Sequence, residues 1–228
     1  MKAIGYQHCL PVEDPQSLID IELPMPVASG RDLLVRVMAV SVNPVDTKVR
    51  RSAAPPSGET RVLGFDAAGI VEAVGPGVTL FKPGDEVWYA GSRARSGTNA
   101  QYHLVDERIV GAKPRTLDFA QAAAMPLTTI TAWEALFDRL QLRIGKPADQ
   151  GTLLITGAAG GVGSIAVQLA RVLTATRIVA TASRPESRAH LEGLGADLVI
   201  DHSQPLSKEL QKAGIRWVEH IFSVTHTH

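Results

Sequence analysis

Short β-rich runs separated by glycine or proline fill the first half of the chain, and strands alternate with helices in the second. Up to about residue 110, Gly or Pro recurs at a spacing of roughly 8–12 residues, the interval of a barrel or sandwich of short strands. Between these breaks lie Asp32–Val42, Ala67–Val74, Glu86–Ala90 and Gln101–Val105, each rich in β-branched or aromatic residues. Gly75-Pro76-Gly77 and Lys82-Pro83-Gly84-Asp85 read as turns, and Arg50–Glu59 and Gly91–Thr98 as loops. Asp118–Ala124 opens on an acidic N-cap and is interrupted by Pro126. Over Thr131–Leu140 the period is helical, with Trp133, Leu136, Phe137 and Leu140 on one face that reads as core.

From residue 152 the alternation is regular. Strands are predicted at Thr152–Thr156, Arg177–Ala182, Asp197–Asp201 and His220–Val224, with helices at Val162–Leu173, Pro185–Leu194 and Leu206–Ala213. Strands alternating with helices imply right-handed crossovers and a parallel sheet. The fold class is therefore α/β plus all-β, with domains at 1–124 and 125–228. Thr225-His226-Thr227-His228 reads as a strand end rather than a metal site.

The glycine-rich segment Gly157-Ala158-Ala159-Gly160-Gly161-Val162-Gly163 stands between a buried strand and a helix. The dinucleotide pattern G-x-G-x-x-G maps onto it with Ala158 in the first glycine's place, then Gly160 and Gly163. Ala158 is assigned to the tight turn, Gly160 to close approach of a diphosphate, and Gly163 to tight packing of helix on strand. The backbone of Gly160, Gly161, Val162 and Gly163 at the helix N-terminus offers N–H groups and a positive dipole end to phosphate. No Gly-Lys-Ser/Thr follows, so it is not a P-loop. At the end of the next strand stand Ala182-Ser183-Arg184. No carboxylate is present there to hold a ribose hydroxyl, whereas Ser183 and Arg184 suit a 2′-phosphate. NADPH is the expected cofactor; the other reading of Arg184 is a solvated helix-start residue.

Composition narrows the function classes. Lys+Arg and Asp+Glu each total 23, and this balance argues against nucleic acid as a partner. No apolar run reaches the ~18 residues of a membrane span, and the start MKAIGYQHCLPVEDP lacks a signal-peptide pattern. A cytoplasmic protein with no membrane partner is expected. The single cysteine, Cys9, allows no internal disulfide and no multi-cysteine metal site.

Five blocks in order carry a family resemblance: Asn43–Lys48, Leu63–Val71, Phe81–Val87, Pro126–Leu136 and the glycine loop. Together they resemble the quinone-oxidoreductase branch of the medium-chain dehydrogenase/reductase superfamily, nearest to bacterial proteins of the "zinc-binding alcohol dehydrogenase family". The resemblance implies a GroES-like β domain on the substrate side, then a partial Rossmann domain, with the active site in the cleft between them. In zinc-dependent members the metal is held by a cysteine, a histidine and a third cysteine or acid. Asn43 stands in place of the first cysteine and Phe65 in place of the histidine, so no metal is expected. Without a Lewis acid an alkoxide is poorly stabilised. Reduction of a quinone or α,β-unsaturated carbonyl fits better, because the hydride adduct is delocalised and hydrogen-bond donors suffice to hold it.

By the same resemblance Asn43, Asp46 and Thr131 line the nicotinamide and substrate side. Asn43 donates to the carbonyl oxygen and Thr131 touches the nicotinamide. Asp46 has two readings, a catalytic group or a brace for the turn after Pro44. Relatives often carry tyrosine where this chain has Lys48. Tyr89 is either a replacement or a barrel-core aromatic, and Gly64 and Gly69 serve backbone packing. Members run longer and form homodimers. A complete Rossmann domain has about six strands, so a chain ending after the fourth is expected to leave an apolar edge open. The alternative to an active reductase is a truncated, catalytically impaired relic that binds nucleotide or serves as a structural module.

Overall fold

The computed structural model describes residues 1–145 and 150–225. The chain divides into two compact units, Met1–Leu127 and Thr128–His228. No helix among the described residues is long and apolar enough to cross a membrane.

The first unit is built on two antiparallel sheets. β1 (Lys2–Tyr6) lies between β2 (Ile19–Glu22) and β4 (Arg61–Val62) in a three-stranded sheet. The larger sheet contains β3 (Asp32–Ser41), β5 (Asp66–Val74), β6 (Glu86–Ala90), β7 (Tyr102–Asp106) and β8 (Val110–Ala112), in the order β7-β3-β5-β6-β8. The pairing of β3 with β5 shifts register twice, after Leu34 and after Val37. Its core is formed by Leu33, Val35, Ala67, Val71, Val87, Tyr89 and Val105. Apart from Ala67, these are branched or aromatic residues that fit a pleated, half-buried surface.

Four strands of this unit, β1, β2, β4 and β8, are absent from the sequence reading. β4 has two residues and β8 three, too short for periodicity to register. A further correction concerns α1 (Pro44–Ser52), which occupies the start of the segment read as a loop. Pro44 stands at the first helical position, where its missing N–H costs nothing. Only from Ala53 onward is Arg50–Glu59 outside this helix. α2 (Phe119–Ala123) is capped as the sequence predicts: Asp118 accepts from the Gln121 N–H at 2.7 Å, and Gln121 returns the bond.

The second unit holds a parallel sheet of β9 (Thr152–Thr156), β10 (Arg177–Thr181), β11 (Leu198–Ile200) and β12 (His220–Ser223), in the order β11-β10-β9-β12. Helices α4 (Gly161–Leu173), α5 (Pro185–Gly193) and α6 (Leu206–Lys212) alternate with these strands. Leu153, Ile155, Ala166, Val167, Ile178 and Leu191 are fully buried in one core cluster. The second cluster has Leu154, Val179, Ile200 and Ile215. The alternation of strand and helix, and each element's approximate limits, agree with the sequence reading.

The helix before this sheet departs from it. α3 runs Pro126–Trp133, earlier than the period suggested, and Glu134–Arg139 continues as a wider π-helical segment. The wider turn breaks the 3.6-residue period on which the predicted face relied. Leu136 is fully buried, but Trp133 is 41% exposed, so it is not a core residue of this unit. Trp133 instead packs on Phe137, with ring centroids 4.7 Å apart. Of the terminal Thr225-His226-Thr227-His228 segment, the last three residues lie outside the described residues.

Truncating the buried anchor of the π-helical turn, Leu136→Ala, is expected to destabilise the second unit by about 2–5 kcal/mol. Urea denaturation followed by circular dichroism measures this; a change under 1 kcal/mol would mean that the site collapses around the loss.

Candidate functional site

The α1 N-terminus and the first residue of β5 bring two carboxylates and an amide together in the first unit. Asn43 caps α1, and its backbone N–H donates to Asp46 Oδ2 at 2.8 Å. The other Asp46 oxygen accepts from the Gly64 N–H at 3.1 Å. Both oxygens are thus held by backbone, which is a brace, made across the helix turn and from the neighbouring loop. The Asn43 side chain donates through Nδ2 to Asp66 Oδ2 at 2.8 Å. Asp66 Oδ1 accepts from the Leu127 N–H at 2.8 Å. Asn43, Asp46 and Asp66 are all buried, Asp66 completely. Gly64 has φ +104, and a Cβ there would meet Thr98 and Asn99; a Cβ on Gly69 would meet the Arg36 carbonyl. These two glycines serve backbone packing.

Asp66 did not stand out in the sequence, although it lies inside one of the five blocks. Its partners are 23 and 61 residues away, and no local pattern marks such a pairing. Burial pushes its carboxyl up to about 6, against the hydrogen bonds from Asn43 and Leu127 that lower it, and nearby Asp46 raises it further.

Phe65 packs with Tyr6, Val49 and Leu63 in an apolar cluster. Asn43 is already engaged by Asp66, and no group of three or more His, Cys, Asp or Glu among the described residues is arranged to hold a metal. The residues present do not fit a catalytic zinc, which requires about three such ligands.

Tyr89 is in the core. Burial pushes its phenol up, and its O–H donates to His103 Nδ1 at 3.1 Å, while His103 Nε2–H donates to the Ser96 carbonyl at 2.9 Å. The carbonyl can only accept, which fixes the proton on Nε2 and leaves Nδ1 to accept from Tyr89. Burial pushes the His103 imidazole down to about 4.

In the second unit the glycine loop joins β9 to α4. The left-handed residue is Gly157, at φ +65, and not Ala158, so the tight turn falls one position earlier than the sequence reading placed it. Ala158 is fully buried, and a Cβ added to Gly163 would lie 2.5 Å from Ala158 Cα. Only glycine at 163 permits this approach of helix to loop. A Cβ on Gly160 would meet only the Gly157 carbonyl, at 3.4 Å, and one on Gly161 only Thr128 Cγ2, at 3.2 Å. The loop is therefore open beside Gly160, and Val162 follows in the first turn of α4. This open backbone at a 13-residue helix's N-terminus fits a dinucleotide diphosphate.

Ser183 and Arg184 follow β10 and are exposed; the Arg184 guanidinium lies 3.7 Å from Glu186. A residue the sequence reading missed supports this turn. Arg188 donates to the Ala182 carbonyl at 3.2 Å and to the Val199 carbonyl at 2.7 Å, tying the residue that follows β10 to the middle of β11. Thr131 is an exposed residue of α3.

The family description "Alcohol dehydrogenase GroES-like domain" matches residues 29–129, and "Zinc-binding dehydrogenase" matches 161–227. A zinc-type alcohol dehydrogenase-like protein of Staphylococcus aureus is 42% identical over 228 residues, covering 100% of this chain and 67% of the relative. A chloroplastic NADPH-dependent alkenal/one oxidoreductase of Arabidopsis thaliana is 37% identical over 202 residues, covering 84% of this chain and 50% of that protein. Among solved structures, a Rhizobium etli CFN 42 protein described as a zinc-dependent alcohol dehydrogenase is 60% identical, with TM-score 0.93, covering 100% of this chain and 66% of its own. The Escherichia coli quinone oxidoreductase complexed with NADPH is 28% identical, with TM-score 0.78, over 94% of this chain and 63% of its own. The chain spans about two thirds of the length of the bacterial relatives.

Two buried groups give opposite pH dependences. His103 has a folded value below the ordinary 6.5, so its contribution to stability is intact above about 6.5 and is lost as pH falls to about 4. Asp66 has a folded value above the ordinary 3.8, so its contribution is intact below about 3.8 and is lost as pH rises through about 6. Relative to the wild type between these limits, Asp66→Asn should lose stability more steeply on acidification, and His103→Gln less steeply. Urea midpoints measured at stepped pH check both; three parallel curves would contradict the assignment.

Proposed function

Because the chain belongs to the medium-chain dehydrogenase/reductase superfamily, in its alcohol dehydrogenase-like and quinone-oxidoreductase group, we propose that it is an NADPH-dependent reductase of quinones or α,β-unsaturated carbonyls. Family membership makes it an oxidoreductase that uses a nicotinamide cofactor; the choice of NADPH and of conjugated acceptor is our reading. One observation carries it: Asn43, in the place of a metal-ligating cysteine, offers an amide already fixed by a buried carboxylate. Such a site supplies a hydrogen-bond donor, not a Lewis acid.

When bound, NADPH supplies a hydride. The backbone of Gly160, Gly161, Val162 and Gly163 would hold the diphosphate at the N-terminus of α4, where Ala158 is buried against Gly163. Ser183 and Arg184 hold the 2′-phosphate; both are exposed, and Arg188 fixes the turn that presents them. Thr131 contacts the nicotinamide end. Asn43 donates to the carbonyl oxygen of the acceptor, where negative charge collects as the hydride arrives at the conjugated carbon. Because that charge is spread over a conjugated system, a neutral donor stabilises it enough for reaction. Asp46 keeps Asn43 at its position and stays out of the chemistry, since both its oxygens are bound to backbone N–H groups. The small-molecule acceptor is the partner the site serves.

Loss of NADPH absorbance over a no-enzyme control, with quinones and enones but not with simple ketones, tests the reading. Tight NADPH binding with no turnover of any acceptor would instead identify a nucleotide-binding module. Replacing the charge-assisted bonds at the 2′-phosphate, in Ser183→Asp with Arg184→Ala, should shift the NADPH/NADH preference by about 10- to 100-fold, the equivalent of ~1.5–3 kcal/mol. Titrations with both cofactors measure it, and an unchanged ratio would place the phosphate elsewhere.

A further inference from the structure

We propose that Asp66 is a positioning residue, which fixes the edge of the Asn43 amide that faces the acceptor. The proposal rests on the reading that Asn43 donates to the acceptor's oxygen. An asparagine amide has an accepting edge and a donating edge, and a half turn about its last bond exchanges them. An ionised carboxylate only accepts, so Asp66 Oδ2 at 2.8 Å holds the Nδ2 group towards itself and orients the second hydrogen of that nitrogen. The other Asp66 oxygen is engaged by the Leu127 N–H, which prevents the carboxylate from turning away. The Asn43 backbone N–H is held by Asp46, and its side-chain Nδ2 by Asp66.

Stability does not account for an aspartate here. Asp66 begins β5 and is followed by Ala67, Ala68 and Gly69, in a strand whose first residues are fully enclosed. It makes no ion pair with a Lys, Arg or His among the described residues, and the charged group near it is another acid, Asp46 on α1. A buried carboxylate without a cation costs several kcal/mol before its hydrogen bonds are counted, and an apolar residue would often serve the fold as well or better. The arrangement makes sense if the orientation of Asn43 is what it secures.

Two measurements on the 228-residue protein test this. The first needs no turnover. In wild-type protein, the NMR resonances of the Asn43 Nδ2 protons and of the Asp66 carboxyl carbon should share one titration midpoint. In Asp66→Asn the Nδ2 protons should lose their wild-type shift and exchange at least ~10-fold faster, while the Asn43 backbone N–H is unmoved. Different midpoints in the wild type, or Nδ2 protons unchanged in the variant, overturn the proposal. The wild-type titration holds even if the variant fails to fold. The second is kinetic. Asn43→Ala and Asp66→Asn should each lower kcat for enone reduction by roughly 10- to 100-fold, the scale of supporting partners. KM for NADPH should be unchanged, the double variant no slower than the slower single, and Asp66→Glu partly active. If Asn43→Ala is slow and Asp66→Asn is not, the positioning role falls and the role of Asn43 stands. If neither is slow, both fall together.

Discussion

A carboxylate can leave water without a cation only if enough N–H groups reach it, and the first unit is organised around that demand. Asp46, Asp66 and Glu107 are buried, and each accepts from backbone N–H groups. Glu107 takes Thr79 and Leu80 and adds Arg31, so it ties together three separate segments. Among the described residues Asp46 and Asp66 have no such cation, and their bonds come from neutral donors. Each bond fixes a loop or helix start that no sheet ladder would fix: the α1 cap, the turn at Gly64, and the first turn of α3. The groups proposed to act in reduction therefore sit on positions that these bonds hold in place.

The second unit meets a different constraint with the same result. Backbone must come very close to backbone where β9 turns into α4, and this is possible because Gly163 carries no side chain against Ala158. The helix N-terminus is then brought to the carboxyl end of a parallel strand, the usual location of a ligand in such sheets. Arg188 extends the support sideways, since one guanidinium bonds a carbonyl just beyond β10 and another within β11. In the proposed reading, backbone geometry holds the phosphates first and side-chain charge second.

The sequence revealed these two units unequally. In the second, the two central strands are runs of buried residues bounded by turns, so Thr152–Thr156 and Arg177–Thr181 could be read almost to the residue. In the first, β4 and β8 are shorter than any period, and α1 begins with Pro44 soon after β3, which looks like a loop. Of the predicted face, Leu136, Phe137 and Leu140 do pack in the core, and Trp133 alone does not, where the helix widens just beyond it. At the site, the chemical types were legible: an amide, a brace and a glycine turn. The pairing of Asn43 with Asp66 was not, because it depends on how a helix cap lands against a strand 23 residues later. Arg188 was hidden in the same way, since a helical arginine ordinarily faces solvent.

Pro44 has an implication for the lifetime of the protein. Asparagine amides commonly age by attack of the following backbone nitrogen on the side-chain carbonyl, which expels ammonia and forms a cyclic imide that water then opens to an acid. The residue after Asn43 is proline, whose ring nitrogen has no hydrogen to lose and is poorly placed for that closure. Were the amide converted, a third acid would crowd against the buried Asp46 and Asp66. The prolyl ring that starts the helix thus also guards the neighbouring amide against slow chemical decay.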